Sequence, residues 1–169
     1  MEISVKLAIL VLATLLTGLS AGLCFTWSNA VTTGLSRLDD LSYLSAFQQM
    51  NRTILNPTFF LVFFGPVLGL VGSIVLYKSA SPQIVWMLVI ALTMYFLGVV
   101  LVTVFGNVPI NEVLNQTDLN QITDIDAKSL RLRFETEWVR LHLIRTYASG
   151  ISFLLLILVC LWRDIPVNP

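Results

Sequence analysis

The chain has 169 residues, 56% of them hydrophobic and only 12% charged, with ten Lys plus Arg balancing ten Asp plus Glu. Soluble domains carry about 25% charged residues, so this chain has too few charges to cover itself in water, and its apolar excess calls for a bilayer. No basic patch suited to nucleic acid is present, and both cysteines, Cys24 and Cys160, lie in apolar stretches that suggest no disulfide framework.

Crossing about 30 Å of hydrocarbon takes about 20 apolar residues, and four stretches reach that length. The first runs from about Val5 to Trp27; between Lys6 and Arg37 its only ionisable side chain is Cys24. It is too long for a secretory leader and three more spans follow, so it is read as a span. A lipoprotein reading of the AGLC ending at Cys24 fails on Leu23, where a small residue is needed. Residues 38–51 are expected to form a short amphipathic interfacial helix, capped by Asp39 or Asp40, with Leu41, Leu44 and Phe47 on one side. Asn56 before Pro57 then reads as a cap and first helical residue, opening a second span over about 57–77. After a KSASPQ turn, the third span covers about 84–105.

FGNVPINE follows, and then a polar, turn-rich NQTDLNQITDID. From Asp126 to Ala148 a helical pattern runs without Pro or Gly into the fourth span, about 144–162, and 111–143 is assigned to the interface. Both interfacial segments can lie over the bundle end as a lid or rest on the membrane surface. Small residues in GLSAG, in GPVLG and at Gly72 suit close approach of helix backbones.

Short connections predict a single all-α membrane domain over 1–169, a four-helix bundle of up-down-up-down topology. That topology gathers four polar helix ends on one face: Trp27 and Asn29; Asn51, Arg52 and Asn56; Asn107, Asn111 and Glu112; and WVRLHLIRT, with Trp138, His142 and Arg145. At about 100° per residue, Arg131, Glu135, Trp138, His142, Arg145, Thr146 and Ser149 share an arc of about 100°. An Arg in a transmembrane helix costs up to about 2.5–3.5 kcal/mol on insertion scales, so Arg145 is expected to line a cavity or to pair, with Glu135 as its possible partner, unless it snorkels to headgroups. Ser129, Arg133, Glu137 and Arg140 occupy another arc, expected to be solvated.

Four motifs in order, GLSAG with Phe25, MNRTILNPTF (50–59), GNVPINE (106–112) and the W-x-x-x-H-x-x-R-T of Trp138 to Thr146, resemble the anthrone oxygenase family, also called DUF1772. The resemblance covers nearly the whole chain. Most members have no assigned activity; a minority use dioxygen to turn the methylene of a hydroxyanthrone into a quinone carbonyl without metal or flavin. Carried over, the resemblance implies Asn107, Asn111, Trp138, His142 and Arg145, with Asn51 and Asn56 as further cavity-lining positions, and does not fix which is catalytic. The chemistry of an acidic methylene suggests His142 as base, Arg145 stabilising an enolate oxygen and Asn107 or Asn111 orienting it. Trp27, Asn29, Asn51, Asn56, Glu112, Glu135 and Trp138 are the candidate substrate-binding residues, the tryptophans suited to stacking on a flat aromatic ring.

One histidine cannot furnish a typical catalytic metal site, so no cofactor is expected, with haem held by His142 as the alternative. A non-enzymatic lipophile-binding protein, or an accessory subunit of a larger membrane complex or homo-oligomer, is the competing reading. The expected partners are the bilayer and a lipophilic aromatic molecule, and the expected location is a bacterial inner membrane. Seven of the ten Lys plus Arg lie on the motif-bearing face against Lys6, Lys78 and Arg163 on the other, which favours a cytoplasmic motif face.

Overall fold

The computed structural model describes residues 4–162; Arg163 lies outside them. Five helices account for the described chain: α1 (Val5–Leu35), α2 (Asp40–Ile54), α3 (Pro57–Leu76), α4 (Pro82–Gln116) and α5 (Asp124–Trp162). All but α2 are long and apolar enough to cross a membrane. α1 packs on α3 and α5, and α4 packs on the same two, which closes a square of four. Many large apolar side chains, among them Leu15, Leu61, Leu68, Leu97 and Leu154, remain exposed on its outside, as lipid rather than water requires. The protein is an integral membrane protein built as a four-helix bundle.

Small residues set the distances between helices. A Cβ on Gly69 would sit 2.7 Å from the Cβ and 3.0 Å from the Cα of Ala13, so α3 and α1 approach there at a separation only glycine permits. Gly65 and Gly18 face the Leu16 and Phe153 side chains, which can shift, and Gly22 faces open space. Pro66 lies inside α3, lacks an N–H and would strand the carbonyl of Val62. The buried Tyr95 hydroxyl of α4 covers that gap, 3.4 Å from the Val62 oxygen, 3.1 Å from that of Phe63 and 2.7 Å from Ser20 Oγ.

Three of the long helices outrun the membrane: α1, α4 and α5 have 31, 35 and 39 residues, where about 20 suffice. Residues 111–143 are therefore the ends of α4 and α5 with a turn between them. α2 is a separate helix capped by Asp39, whose carboxylate accepts from Ser42 N at 3.0 Å. Hydrogen bonding from the Ser42 hydroxyl, and then from its backbone N–H, holds the Asp39 carboxyl below its usual range. α2 packs on α5 and on the end of α4, burying Tyr43, Leu44, Phe47, Gln48 and Asn51. Leu41, expected on this face, is exposed instead. α2 thus forms a roof over the bundle end.

Arg131 of α5 fastens the roof. Its Nη1 donates to the carbonyl of Leu38 at 2.7 Å and to Asp40 Oδ1 at 3.0 Å, its Nη2 to the carbonyl of Ser36 at 2.8 Å, and its Nε to Glu135 at 3.2 Å. The guanidinium also lies 4.6 Å from the centre of the Tyr43 ring. One side chain so ties the end of α1 and the start of α2 to α5.

Candidate functional site

Beneath the roof lies a cavity of about 100 Å³, lined from α1 by Cys24 and Trp27, from α2 by Met50, Asn51 and Ile54, from α4 by Thr103, Asn107 and Asn111, and from α5 by Trp138, His142 and Arg145. Leu23, Leu55, Phe59 and Val108 complete it, and Leu55 is 64% exposed. The mouth is therefore apolar, at the junction of α2 and α3 facing α4.

The helices that supply the walls are irregular there. α1 turns π-helical over Trp27–Val31, and α4 over Phe96–Leu101 and again over Thr103–Asn107. Wide turns of this kind are rare and concentrate at functional sites. Here one begins at Trp27 and another ends at Asn107, both in the cavity wall.

On α5, Trp138, His142 and Arg145 fall on one face by their spacing of four and three. The His142 ring stacks on Trp138 with centroids 4.7 Å apart and planes at 14°, and Trp27 lies across both, 5.3 Å from Trp138 and 6.3 Å from His142. His142 Nε2 is 3.0 Å from the carbonyl oxygen of Cys24. A carbonyl only accepts, so Nε2 carries the hydrogen and the neutral ring has its lone pair on Nδ1. That Nδ1 is buried without a hydrogen-bond partner.

Arg145 donates from Nη1 to Asn107 Oδ1 at 3.1 Å, its guanidinium lies 6.0 Å from the Trp138 ring centre, and its Nε is buried and unpartnered. Asn107 in turn donates from Nδ2 to the Trp138 carbonyl at 3.4 Å, and the Trp138 indole N–H donates to Asn111 Oδ1 at 3.0 Å. A buried polar atom left unpaired costs about 1–3 kcal/mol. The cavity walls carry such atoms on Asn51, His142 and Arg145.

Of the expected site residues, Trp27, Asn51, Asn107, Asn111, Trp138, His142 and Arg145 meet at this cavity. Asn29 is exposed, and Glu112 is exposed and bonded by Gln116 Nε2 at 2.7 Å. Asn56 is spent as the α3 cap, accepting from Phe59 N at 3.0 Å and donating to the Thr53 carbonyl. Glu135 pairs with Arg131, and the partner it was expected to be for Arg145 is Asn107 instead. The physical reason is reach: ten residues of helix separate Glu135 from Arg145, a rise of about 15 Å. Sequence reasoning missed the Cys24 carbonyl, which no side-chain pattern announces, and the apolar mouth. Among the described residues no three of His, Cys, Asp and Glu are grouped to hold a metal ion.

A polar-floored cavity under a helical roof, at one end of a membrane-spanning four-helix bundle, defines the class. Within it, the family described as Anthrone oxygenase matches residues 59–155, more than half of the chain, and the protein belongs to that family. GNVPINE and the W-x-x-x-H-x-x-R-T motif lie inside the matched stretch; the motifs of the first span and of residues 50–58 lie before it. No curated protein and no solved structure matches the chain.

Proposed function

We propose that the protein oxidises an activated methylene of a lipophilic aromatic substrate with dioxygen and without a resident cofactor. The observation that carries the reading is the pair on α5: a buried histidine whose tautomer leaves the Nδ1 lone pair unspent, one turn from an arginine with an unspent Nε–H. His142 takes a proton from the methylene, and Arg145 holds the negative charge that develops on the conjugated oxygen. The stabilised carbanion gives an electron to dioxygen and captures it. Loss of water then leaves a carbonyl, so one oxygen atom of each O₂ ends in the product and the other in water. Trp27 and Trp138 supply flat faces for the ring system. Asn107 and Asn111 act behind the site: their amides are engaged with Arg145 and Trp138, so they position those residues rather than touch substrate.

Drug-sized ligands occupy pockets of about 300–1,000 Å³, whereas this cavity has about 100 Å³. On this reading the site must widen on binding, at Leu55 and beneath α2. The decisive measurement is oxygen uptake by detergent-purified protein with 1,8-dihydroxyanthrone, alongside a visible spectrum. Wild type is expected to consume oxygen with no haem band, and His142→Ala to lose about 10²–10⁴ in rate; equal turnover in the variant sinks the base assignment. Haem ligated by His142 is the reading a Soret band would restore.

A second reading, lipophile binding or a subunit role without turnover, is favoured by the commitment of Asn107, Asn111 and Trp138 to holding α4 against α5. Absence of uptake with a stable copurifying partner would decide for it. The excess of Lys and Arg on the roofed end supports a bacterial inner membrane orientation with that end cytoplasmic, testable by impermeant labelling of a cysteine placed at exposed Lys128.

A further inference from the structure

Asn51 is buried, at 8% exposure, in the roof of the cavity, one turn beyond Phe47 on the inward face of α2. The other two amides of the wall, Asn107 and Asn111, are hydrogen-bonded to α5. The Asn51 Nδ2 has no partner. A leucine there would strand no donor, whereas the amide carries the cost of an unpaired buried N–H. Five buried side-chain atoms in the described residues lack partners, and three of them, Asn51 Nδ2, His142 Nδ1 and Arg145 Nε, belong to residues of this one cavity. Two donors and one acceptor without partners thus sit on lining residues of two different helices, α2 and α5.

We propose that Asn51 donates its Nδ2–H to an oxygen of the bound ligand, so that the ligand ties the roof helix α2 to His142 and Arg145 on α5. The assignment rests on the oxidase reading for the class of ligand, a flat oxygen-bearing aromatic, but not on turnover.

The test is binding of two probes, 1,8-dihydroxyanthraquinone and oxygen-free anthracene, to the full chain in detergent, read by quenching of Trp27 and Trp138 after the exposed Trp86 and Trp162 are changed to Phe. Asn51→Leu is expected to weaken quinone binding about tenfold, leave anthracene binding unchanged, and leave Tm equal or higher because a stranded donor is removed. Asn51→Asp, which offers the ligand oxygen only acceptors, is expected to weaken the quinone further, and it decides the matter if the leucine variant does not fold. Equal loss for both probes together with a fall in Tm marks a structural residue and overturns the proposal. So do unchanged quinone affinity in both variants and a wild type that binds neither probe. Asn51-dependent quinone binding without oxygen uptake sinks the oxidase reading alone; full uptake with unchanged quinone affinity in both variants sinks the Asn51 assignment alone.

Discussion

Arg145 and Asn107 act as a unit, because the guanidinium reaches Asn107 Oδ1 at 3.1 Å while its own Nε has no partner. Asn107→Leu strands a second donor on a charged group, and a loss of about 1.5–3 kcal/mol is expected, read as a lower Tm, together with a fall in oxygen uptake. Asn107→Asp separates the two effects: a carboxylate pairs with Arg145 and keeps the protein stable, but cancels the charge an enolate would meet, so uptake falls with Tm maintained. Uptake at the wild-type rate in Asn107→Asp would contradict the role given to Arg145. At this scale the sequence was legible where side chains recur at helical spacing. Trp138, His142 and Arg145 share a face, as do Asn107 and Asn111, four residues apart. Asn29 and Glu112 were grouped with them by nearness to a helix end, although each lies off the inward face. The Cys24 carbonyl was invisible, since every residue has one.

Two helices depend on a single polar side chain from a neighbour. In α3, Pro66 leaves the Val62 carbonyl without its helical donor, the Tyr95 hydroxyl of α4 lies against it, and in lipid no water substitutes for that hydroxyl. Tyr95→Phe should therefore cost about 1–3 kcal/mol, measured as reduced Tm in detergent, with little change in oxygen uptake because Tyr95 is not among the residues that line the cavity. In α2, Arg131→Ala removes the bonds to Ser36, Leu38 and Asp40 together. Amide exchange in α2 should accelerate by about 10- to 100-fold while the four spans keep their protection; uniform acceleration would argue against a separable roof. Asp39, Leu44 and Phe47 announced α2 and two of its five buried residues. Its seat did not show in the sequence, because Gln48 docks on the Leu114 and Thr117 carbonyls and Arg131 on those of Ser36 and Leu38. Backbone acceptors so far away in the chain leave no mark on local periodicity.

For the molecule as a whole, charge depletion and four apolar stretches were sufficient to establish a membrane bundle, and the structure adds where it opens. The mouth at Leu55, Phe59 and Val108 is apolar, which suits the lipophilic ligand of the proposed function. Leu55→Trp is expected to narrow that opening, lowering kcat/KM for oxygen uptake severalfold with Tm unchanged; a purely lower kcat at constant kcat/KM would place access elsewhere. The wide turns in α1 and α4 carry another consequence, this time for chain length. A π turn closes over five residues where an α turn closes over four, so each absorbs one extra residue without swinging the helix beyond it out of register. A one-residue gap in an ordinary membrane span turns everything past it by about 100°. Within Phe96–Leu101 or Trp27–Val31 the same gap only tightens a turn. Relatives one residue shorter at these points can keep the whole wall of the cavity, and spans of unequal length are no sign of a different site.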